Sequence, residues 1–290
     1  MNIVVNLNKD RGITSQDAVT AVKKVFKVKK AGHTGTLDPL ATGVMLVCLN
    51  EATKIASFIE ALEKEYIATA KLGETTDTLD SEGTIIRKVE DFNITGDDIK
   101  RVLPHFTGEI EQVPPMYSAL KVSGKPLYKL ARKGIEVERK ARKVNVSSIE
   151  VIGFDIPFFT LKIVCSKGTY IRSLCSDIGD VVGAGAHMVE LTRMRVGNFR
   201  IGDAAWIGEL PQKASALHSI DSVLQHLPEL TVAGEDLRKA RNGNALPLLS
   251  LPDPLKTAGT VIRLKDDSGR IFGIGKVAKD SIKIERLLFL

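Results

Sequence analysis

The chain has 290 residues, of which 43% are hydrophobic and 26% are charged. This is ordinary globular composition, so a mainly disordered or collagen-like chain is excluded. Lys and Arg number 41 against 35 Asp and Glu, a formal net charge of +6, which favours anionic partners but does not decide the fold.

The sequence lacks the patterns typical of a membrane span, a secretory signal or a metal site. No apolar run approaches the roughly 18 residues that a membrane helix needs, and the first residues lack a basic stretch followed by a long apolar one. Cys48, Cys165 and Cys175 form no CxxC pair, and the five histidines form no HxH or HExxH pattern. We therefore expect a cytoplasmic protein with reduced core thiols, no metal and no membrane contact.

In chain order, hydrophobic periodicity predicts three amphipathic helices, interspersed with strands that often lack a crossover helix. The first helix has the clearest start signal, because Thr14 and Asp17 resemble a capping box. The helices are expected at residues 14–26, 51–62 and 95–106, and the clearest strands at residues 66–72, 144–152 and 158–165. This order indicates an α/β protein with a mixed sheet rather than a doubly wound one.

The composition changes after Pro228, where further prolines and then short strand-like runs follow. The runs cover residues 260–264, 271–277 and 282–289 and predict a small all-β module. We expect a main domain over residues 1–226 and this module over residues 227–290. A module of that size has a thin core, so it is expected to lean on its neighbour.

Residues 117–143 carry the whole positive excess of the chain. The segment, called the basic segment below, holds nine basic and two acidic residues, a net charge of +7, which leaves the rest of the chain at −1. Two tyrosines are interleaved with these charges, an arrangement suited to a nucleic-acid backbone. Lys129, Arg132 and Lys133 are candidate phosphate contacts. The alternative is a solvated surface loop.

Residues 32–43 are dense in special residues, with three glycines and one proline. Asp38 precedes Pro39, which biases its backbone away from helix. A carboxylate on such a constrained loop is a candidate nucleophile or general base. A structural Asp-Pro turn is the alternative. The loop is not a P-loop, because no Gly-Lys-Ser/Thr follows.

Two other segments hold charged residues that are suited to a site. Residues 76–83 carry three carboxylates but fail the spacing of an EF-hand, so we expect a capped turn between strands. Arg172 is expected in the first turn of a helix that follows the strand ending near Cys165. There it is suited to hold a carboxylate through two hydrogen bonds, and a surface salt bridge is the alternative.

Four separated motifs occur in the order found in one known family. They resemble the TruB family of tRNA pseudouridine synthases, from about residue 3 to about residue 200, and read GHTGTLDPLATG, KEYIATAKLGETTDTLDSEG, VPPMYSALKVSGKPLYKLARKG and KGTYIRSLCSDIG. The C-terminal module resembles the PUA-type RNA-binding domain. The resemblance implies a largely antiparallel mixed sheet with flanking helices and a central cleft, followed by a small β-barrel.

The resemblance also implies the reaction, which converts uridine to pseudouridine at position 55 in the T loop of tRNA without a cofactor. Asp38 would be the catalytic carboxylate, and it is left open whether it attacks the sugar or abstracts a proton. Arg172 would pair with Asp38, and Tyr66 would stack on the target base, with a role in proton transfer left open. The other residues implied in substrate binding are His33, Tyr170 and Leu191.

The partner implied is tRNA, without an obligatory protein partner. Three other functions are weighed against this one. An RNA chaperone that folds tRNA in the same cleft has no reason to keep the Asp38 carboxylate. A pseudouridine synthase guided by a separate RNA is disfavoured by the short C-terminal module and the basic segment. A glycosidase needs two close carboxylates, and the motifs nominate one.

Overall fold

The computed structural model describes residues 1–122, 124–248 and 251–290. Residue 123 of the basic segment and residues 249–250 of the C-terminal module lie outside the described residues. The α-helices are α1 (Ser15–Val25), α2 (Ala56–Glu60), α3 (Gly96–Val102), α4 (Leu127–Ala131), α5 (Ile171–Val181), α6 (Ile220–Val223) and α7 (Gly234–Arg241). The strands are β1 (Ile3–Lys9), β2 (Ala31–His33), β3 (Thr42–Leu49), β4 (Lys64–Leu72), β5 (Glu74–Thr76), β6 (Ile85–Lys88), β7 (Gly108–Gln112), β8 (Lys121–Val122), β9 (Lys125–Pro126), β10 (Arg142–Asp155), β11 (Phe158–Cys165), β12 (Ala186–Val196), β13 (Phe199–Arg200), β14 (Leu217–Ser219), β15 (Glu229–Thr231), β16 (Leu246–Pro247), β17 (Val261–Lys265), β18 (Ile271–Val277) and β19 (Ser281–Leu287).

A ten-stranded sheet organises the larger part of the chain. Its strand order is β14-β1-β3-β12-β4-β11-β10-β7, with β2 paired to β3 and β13 paired to β12. Among these described strands, β12 and β3 run parallel and the other pairs run antiparallel. This confirms the expected mixed, largely antiparallel sheet, and it places β4 and β12 side by side near the middle.

The first predicted helix is confirmed, including its start. The Thr14 side chain accepts a hydrogen bond from the Asp17 N–H, and the Asp17 carboxylate accepts one from the Thr14 N–H at 3.1 Å. One helix face buries Ala18, Val19 and Val22 against the sheet core. Local capping and periodicity agree here, which is why the sequence pattern is sufficient.

The other two predicted helices are wrong in extent, because each is divided into a 3₁₀ turn and a short α-helix. In the second, a 3₁₀ helix (Asn50–Ile55) precedes α2, and the buried Ala52 and Ile55 stand three residues apart, the period of a 3₁₀ helix. In the third, α3 is followed by a 3₁₀ helix (Leu103–Phe106). Pro104 has no N–H to continue the α-helical ladder.

The C-terminal module is a curled five-stranded sheet in the order β15-β17-β18-β19-β16. The three predicted strands correspond to β17, β18 and β19, but the all-β expectation is wrong because α7 belongs to the module. Helix α7 is short and strongly polar, and it buries only Ala240 completely, so too few apolar residues mark it as a helix in the sequence. In the described part of the chain, no helix is long and apolar enough to cross a membrane.

The module shares a core with the large sheet, as expected for a thin domain. Ile274 of β18 and Leu288 pack in one buried cluster with Leu46 of β3 and Ile55. At the rim of this cluster, the Lys54 ammonium donates to the Leu287 carbonyl at 2.9 Å. The two parts are therefore joined by apolar packing rather than by a linker alone.

Candidate active site

Asp38 lies on the loop between β2 and β3, and the first helix holds this loop in place. The Ser15 hydroxyl donates to the Leu37 carbonyl and accepts from the Leu37 N–H, both at 2.8 Å. The Pro39 carbonyl accepts from the Gly12 N–H at 2.8 Å and from the Lys9 ammonium at 3.3 Å. Asp38 therefore stands between two residues whose backbones are fixed by neighbouring elements.

Arg172, in the first turn of α5 as predicted, is the centre of the site. Its Nε lies 3.0 Å from Oδ2 of Asp38, and its Nη1 lies 3.3 Å from Oδ2 of Asp80. Nη1 also donates to the Thr78 carbonyl at 2.9 Å, and Nη2 donates to the Tyr117 carbonyl at 2.7 Å. One guanidinium thus joins two carboxylates and two main-chain segments, which fixes its orientation.

The charge of Asp38 is set by opposing influences. Burial raises the pKa of Asp38, the Arg172 guanidinium and the Lys9 ammonium lower it, and the Asp80 carboxylate raises it. The side chain nevertheless keeps 34% exposure at the cleft. A carboxylate with a raised pKa is a stronger base or nucleophile once ionised, and the two cations favour the ionised form.

Asp80 is a site residue that the sequence reasoning missed. The expected turn between strands is confirmed, since β5 and β6 pair antiparallel on either side of it. Inside the turn, the Asp80 carboxylate accepts from the Thr78 hydroxyl at 2.6 Å and from the Glu82 N–H at 3.1 Å. These bonds explain a capped turn, and nothing local signals that Asp80 also reaches Arg172, 92 positions along the chain.

A cavity of about 240 Å³ opens beside the Asp38 carboxylate. Three of the predicted binding residues line it, namely Tyr66 of β4, Leu191 of β12 and Tyr170. Tyr66 is 8% exposed, and burial raises the pKa of its phenol while the nearby Arg193 guanidinium lowers it. The structure thus gathers two aromatic rings and an apolar side chain around the acid.

The main chain of Tyr170, which precedes α5, is held by the side chain of Gln112 at the end of β7. The Tyr170 N–H donates to Oε1 of Gln112 at 2.7 Å, and Nε2 of Gln112 donates to the Tyr170 carbonyl at 2.9 Å. The amide therefore pairs with the main chain at the start of α5 as a neighbouring strand would. Gln112 is buried, and no sequence pattern indicates this contact.

His33 lies away from the cavity that holds the tyrosines. It lines a second, larger cavity of about 480 Å³, which shares Asp38 and Arg172 with the first and reaches Tyr128 and Arg132 of the basic segment. Burial lowers the pKa of His33, and Arg193 lowers it as well. The imidazole is thus favoured as a neutral group, and its Nδ1 accepts a hydrogen bond from the Gly35 N–H at 3.3 Å.

The basic segment contributes exposed cations beside the second cavity. Lys129, Arg132 and Lys133 are exposed, and the Arg132 guanidinium lies 5.7 Å from the centre of the Tyr128 ring. The buried Leu127 anchors α4 beneath them. Within the described residues, none of the three cations forms a salt bridge, which leaves their charges available to an anionic partner.

Across all the residues that the structure describes, no group of three or more His, Cys, Asp or Glu is suited to hold a metal ion.

Comparison with known proteins adds the family. Residues 23–171 match the family model of the TruB family pseudouridylate synthase N-terminal domain, and residues 172–227 match that of the tRNA pseudouridylate synthase B C-terminal domain. The chain is 42% identical to tRNA pseudouridine synthase B of Clostridium tetani over 290 residues, covering 99% of this chain and 100% of that protein. It is 42% identical to the protein of the same name from Dechloromonas aromatica, covering 94% and 90%.

Solved structures agree at the level of the fold. The chain in a crystal structure of a Cbf5-Nop10-Gar1 complex superposes with a TM-score of 0.78 at 26% identity, covering 99% of this chain and 85% of that one. A chain from an archaeal box H/ACA sRNP Nop10-Cbf5 complex gives 0.74 at 23% identity, covering 99% and 86%. Given the matching family model and the full-length relatives above 40% identity, the chain belongs to the TruB family of pseudouridine synthases, which are isomerases.

Proposed function

We propose that this protein isomerises uridine to pseudouridine at position 55 in the T loop of tRNA, with Asp38 as the catalytic carboxylate. The observation that carries the proposal is the Asp38–Arg172 ion pair of 3.0 Å at the edge of a cavity lined by Tyr66, Tyr170 and Leu191. The relatives named tRNA pseudouridine synthase B supply the substrate class.

The target base is stacked in a folded tRNA, so it must be flipped out, which costs a few kcal/mol. Stacking on an aromatic side chain such as Tyr66 returns about 1–3 kcal/mol. The exposed cations of the basic segment hold the RNA backbone and set its register, without reading the sequence. The T arm alone is therefore the expected minimal substrate, because folded RNA is recognised mainly by shape and by splayed-out bases.

Asp38 acts in one of two ways, and both need its ionised form. As a nucleophile, it attacks the ribose as the N-glycosidic bond breaks. As a base, it removes a proton from the nucleotide. Arg172 supports either role by keeping the carboxylate charged and oriented. In both cases the uracil turns and rejoins the ribose through carbon, with no group entering or leaving.

The structure supplies a second carboxylate near Asp38, as a glycosidase would require. Asp80 is only 4% exposed, and its oxygens are engaged by Arg172, Thr78 and Glu82. Asp80 lines the second cavity, but a buried carboxylate whose oxygens already accept from three partners is poorly suited to attack a sugar or to activate a water. The pair therefore supports a single reactive acid with an oriented counter-ion rather than an acid and a base on opposite faces of a sugar.

The target is tested by mapping pseudouridine in a tRNA transcript and in an isolated T-arm hairpin after treatment with the purified protein. We expect one new pseudouridine at position 55 in both RNAs, and none when that uridine is replaced by cytidine. Modification elsewhere would refute the proposed target. A requirement for an added guide RNA or protein would favour the RNA-guided alternative.

Free buried thiols at Cys48, Cys165 and Cys175 support action in the reducing cytoplasm.

A further inference from the structure

Arg193 is the second buried arginine of the site, and it differs from Arg172 in its partners. It is 3% exposed, and its Nε donates to the Val44 carbonyl at 2.6 Å while its Nη2 donates to the Gly35 carbonyl at 3.1 Å. Across residues 1–122, 124–248 and 251–290, it forms no salt bridge with a carboxylate. Carbonyl groups offset part of the cost of burying a cation, but they leave its full positive charge in place.

The position of Arg193 directs this charge at the cavity. Arg193 stands opposite Tyr66 in the antiparallel register of β12 and β4, so the two side chains share a face of the sheet. Both line the cavity of about 240 Å³ together with Asp38 and Leu191. The effect of the charge extends to neighbouring groups, because Arg193 opposes the burial that raises the pKa of Tyr66 and adds to the burial that lowers the pKa of Lys64 to about 8.

Protein groups engage the other cations of the site except Lys167, which also lines the cavity but is exposed, so solvent screens its charge. Arg172 is shared between two carboxylates and two carbonyls. The Lys9 ammonium donates to the carbonyls of Asp10, Ile13 and Pro39. The Lys64 ammonium donates to the carbonyls of Glu60 and Leu62, and burial lowers its pKa to about 8. Arg193 is left as the buried cavity cation with a permanent charge and no carboxylate partner among the described residues.

The reaction generates an anion at this place. When the bond between C1′ and N1 breaks, its electron pair stays on the uracil, which spreads the negative charge over N1 and its two carbonyl oxygens. The charge is discharged when C5 bonds to C1′, after which C5 loses one proton and N1 gains one. A fixed cation in a cavity of low dielectric stabilises such a charge more strongly than water does, because it is already oriented.

We propose that Arg193 stabilises the negative charge on the detached uracil, an inference that rests on the proposed function. The competing explanation is that Arg193 only ties β3 and the Asp38 loop together through the Val44 and Gly35 carbonyls. The two explanations differ in one respect. A structural tie affects every substrate equally, whereas charge stabilisation matters less when the base itself carries the charge more easily.

The test compares uridine and 5-fluorouridine at the target position of a T-arm hairpin, because fluorine withdraws electrons from the ring and stabilises its anion. Single-turnover rates at saturating RNA are measured as loss of the original nucleoside for the wild type, Arg193→Gln and Arg193→Lys. Arg263→Gln is the control for loss of a buried arginine away from the cavity: Arg263 is 7% exposed, lies in the C-terminal module and, unlike Arg193, pairs with Asp221 and Glu229. RNA affinity and unfolding in urea are measured for all four proteins.

We expect Arg193→Gln to lower the rate on uridine by about 10²–10³-fold, the scale of losing one charge-stabilising donor. The loss on 5-fluorouridine is distinctly smaller, Arg193→Lys retains more activity than Arg193→Gln, and RNA affinity is unchanged. The control variant keeps the wild-type rate on both RNAs. Equal fractional losses on the two substrates would overturn the inference and leave Arg193 as a structural tie.

Two further outcomes are also decisive. If Arg193→Gln does not fold, the same comparison is made with Arg193→Lys, whose shorter side chain places its charge farther from the uracil: unequal losses support the inference and equal losses overturn it. If the wild type forms no pseudouridine in the T-arm hairpin, the proposed function fails and takes the inference with it. Wild-type activity combined with equal losses overturns the role of Arg193 alone.

Discussion

Replacing Arg172 with Met tests the guanidinium group that forms ion pairs with both Asp38 and Asp80. Asp80 is 4% exposed, and the variant leaves it with its bonds to Thr78 and Glu82 but without a counter-charge. Breaking a buried ion pair in this way costs about 3–5 kcal/mol. The double variant Arg172→Met/Asp80→Asn removes the stranded charge and keeps an acceptor oxygen for Thr78 and Glu82, so we expect it to recover most of that loss in urea unfolding.

The same variants separate stability from catalysis. Arg172 lowers the pKa of Asp38, so its removal raises that pKa and the acid limb of the pH–rate profile moves to higher pH. Asp80 raises the pKa of Asp38, so the limb of the double variant lies between those of the single variant and the wild type. Single-turnover rates across pH measure this. A wild-type limb in Arg172→Met would refute the role given to Arg172, and a double variant no more stable than the single one would refute the role given to Asp80.

Three further predictions address separate parts of the molecule. Tyr66→Phe keeps the stacking ring and hence RNA affinity, and if the hydroxyl transfers a proton its single-turnover rate falls by about 10²-fold or more; an unchanged rate leaves Tyr66 as a stacking surface. Neutralising Lys129, Arg132 and Lys133 flattens the slope of log affinity against log salt by about 0.7–0.9 for each lost phosphate contact, with catalysis on bound RNA retained, and an unchanged slope would show that the segment is a solvated loop. Ile274→Ala, in the core shared by the module and the large sheet, lowers the free energy of unfolding by about 2–5 kcal/mol in one cooperative transition, whereas two separate transitions would show that the parts unfold independently.

The features that could be predicted from the sequence are those with local or strongly patterned signals. The capping box of Thr14 and Asp17 and the alternation along β4 follow from short-range chemistry, and the structure has both. The pairing of Asp38 with Arg172 was implied by the resemblance to a family, and the structure shows the ion pair at 3.0 Å. Their catalytic roles remain predictions, which the variants above test.

The features that were missed depend on contacts between distant segments. Asp80 looks like a turn residue because its local bonds to Thr78 and Glu82 fully explain it. Arg193 gives no local signal either, because its importance comes from facing Tyr66 across two strands. Helix α7 is short and mostly charged, so it offers too few apolar residues to be recognised from its sequence. In each case tertiary packing supplies the information that the residue's neighbours in sequence lack.

The central claim is that Asp38 is the carboxylate that drives isomerisation of a T-loop uridine, and release of tritium from C5 tests it most directly. Pseudouridine formation breaks the C5–H bond, so RNA labelled with tritium at C5 of its uridines releases the label to water as the target reacts. The account predicts release by the wild type in proportion to the T-loop uridine, and none above background from Asp38→Asn, which keeps the shape of the side chain and binds tRNA with unchanged affinity. Release by Asp38→Asn near the wild-type rate would contradict the claim.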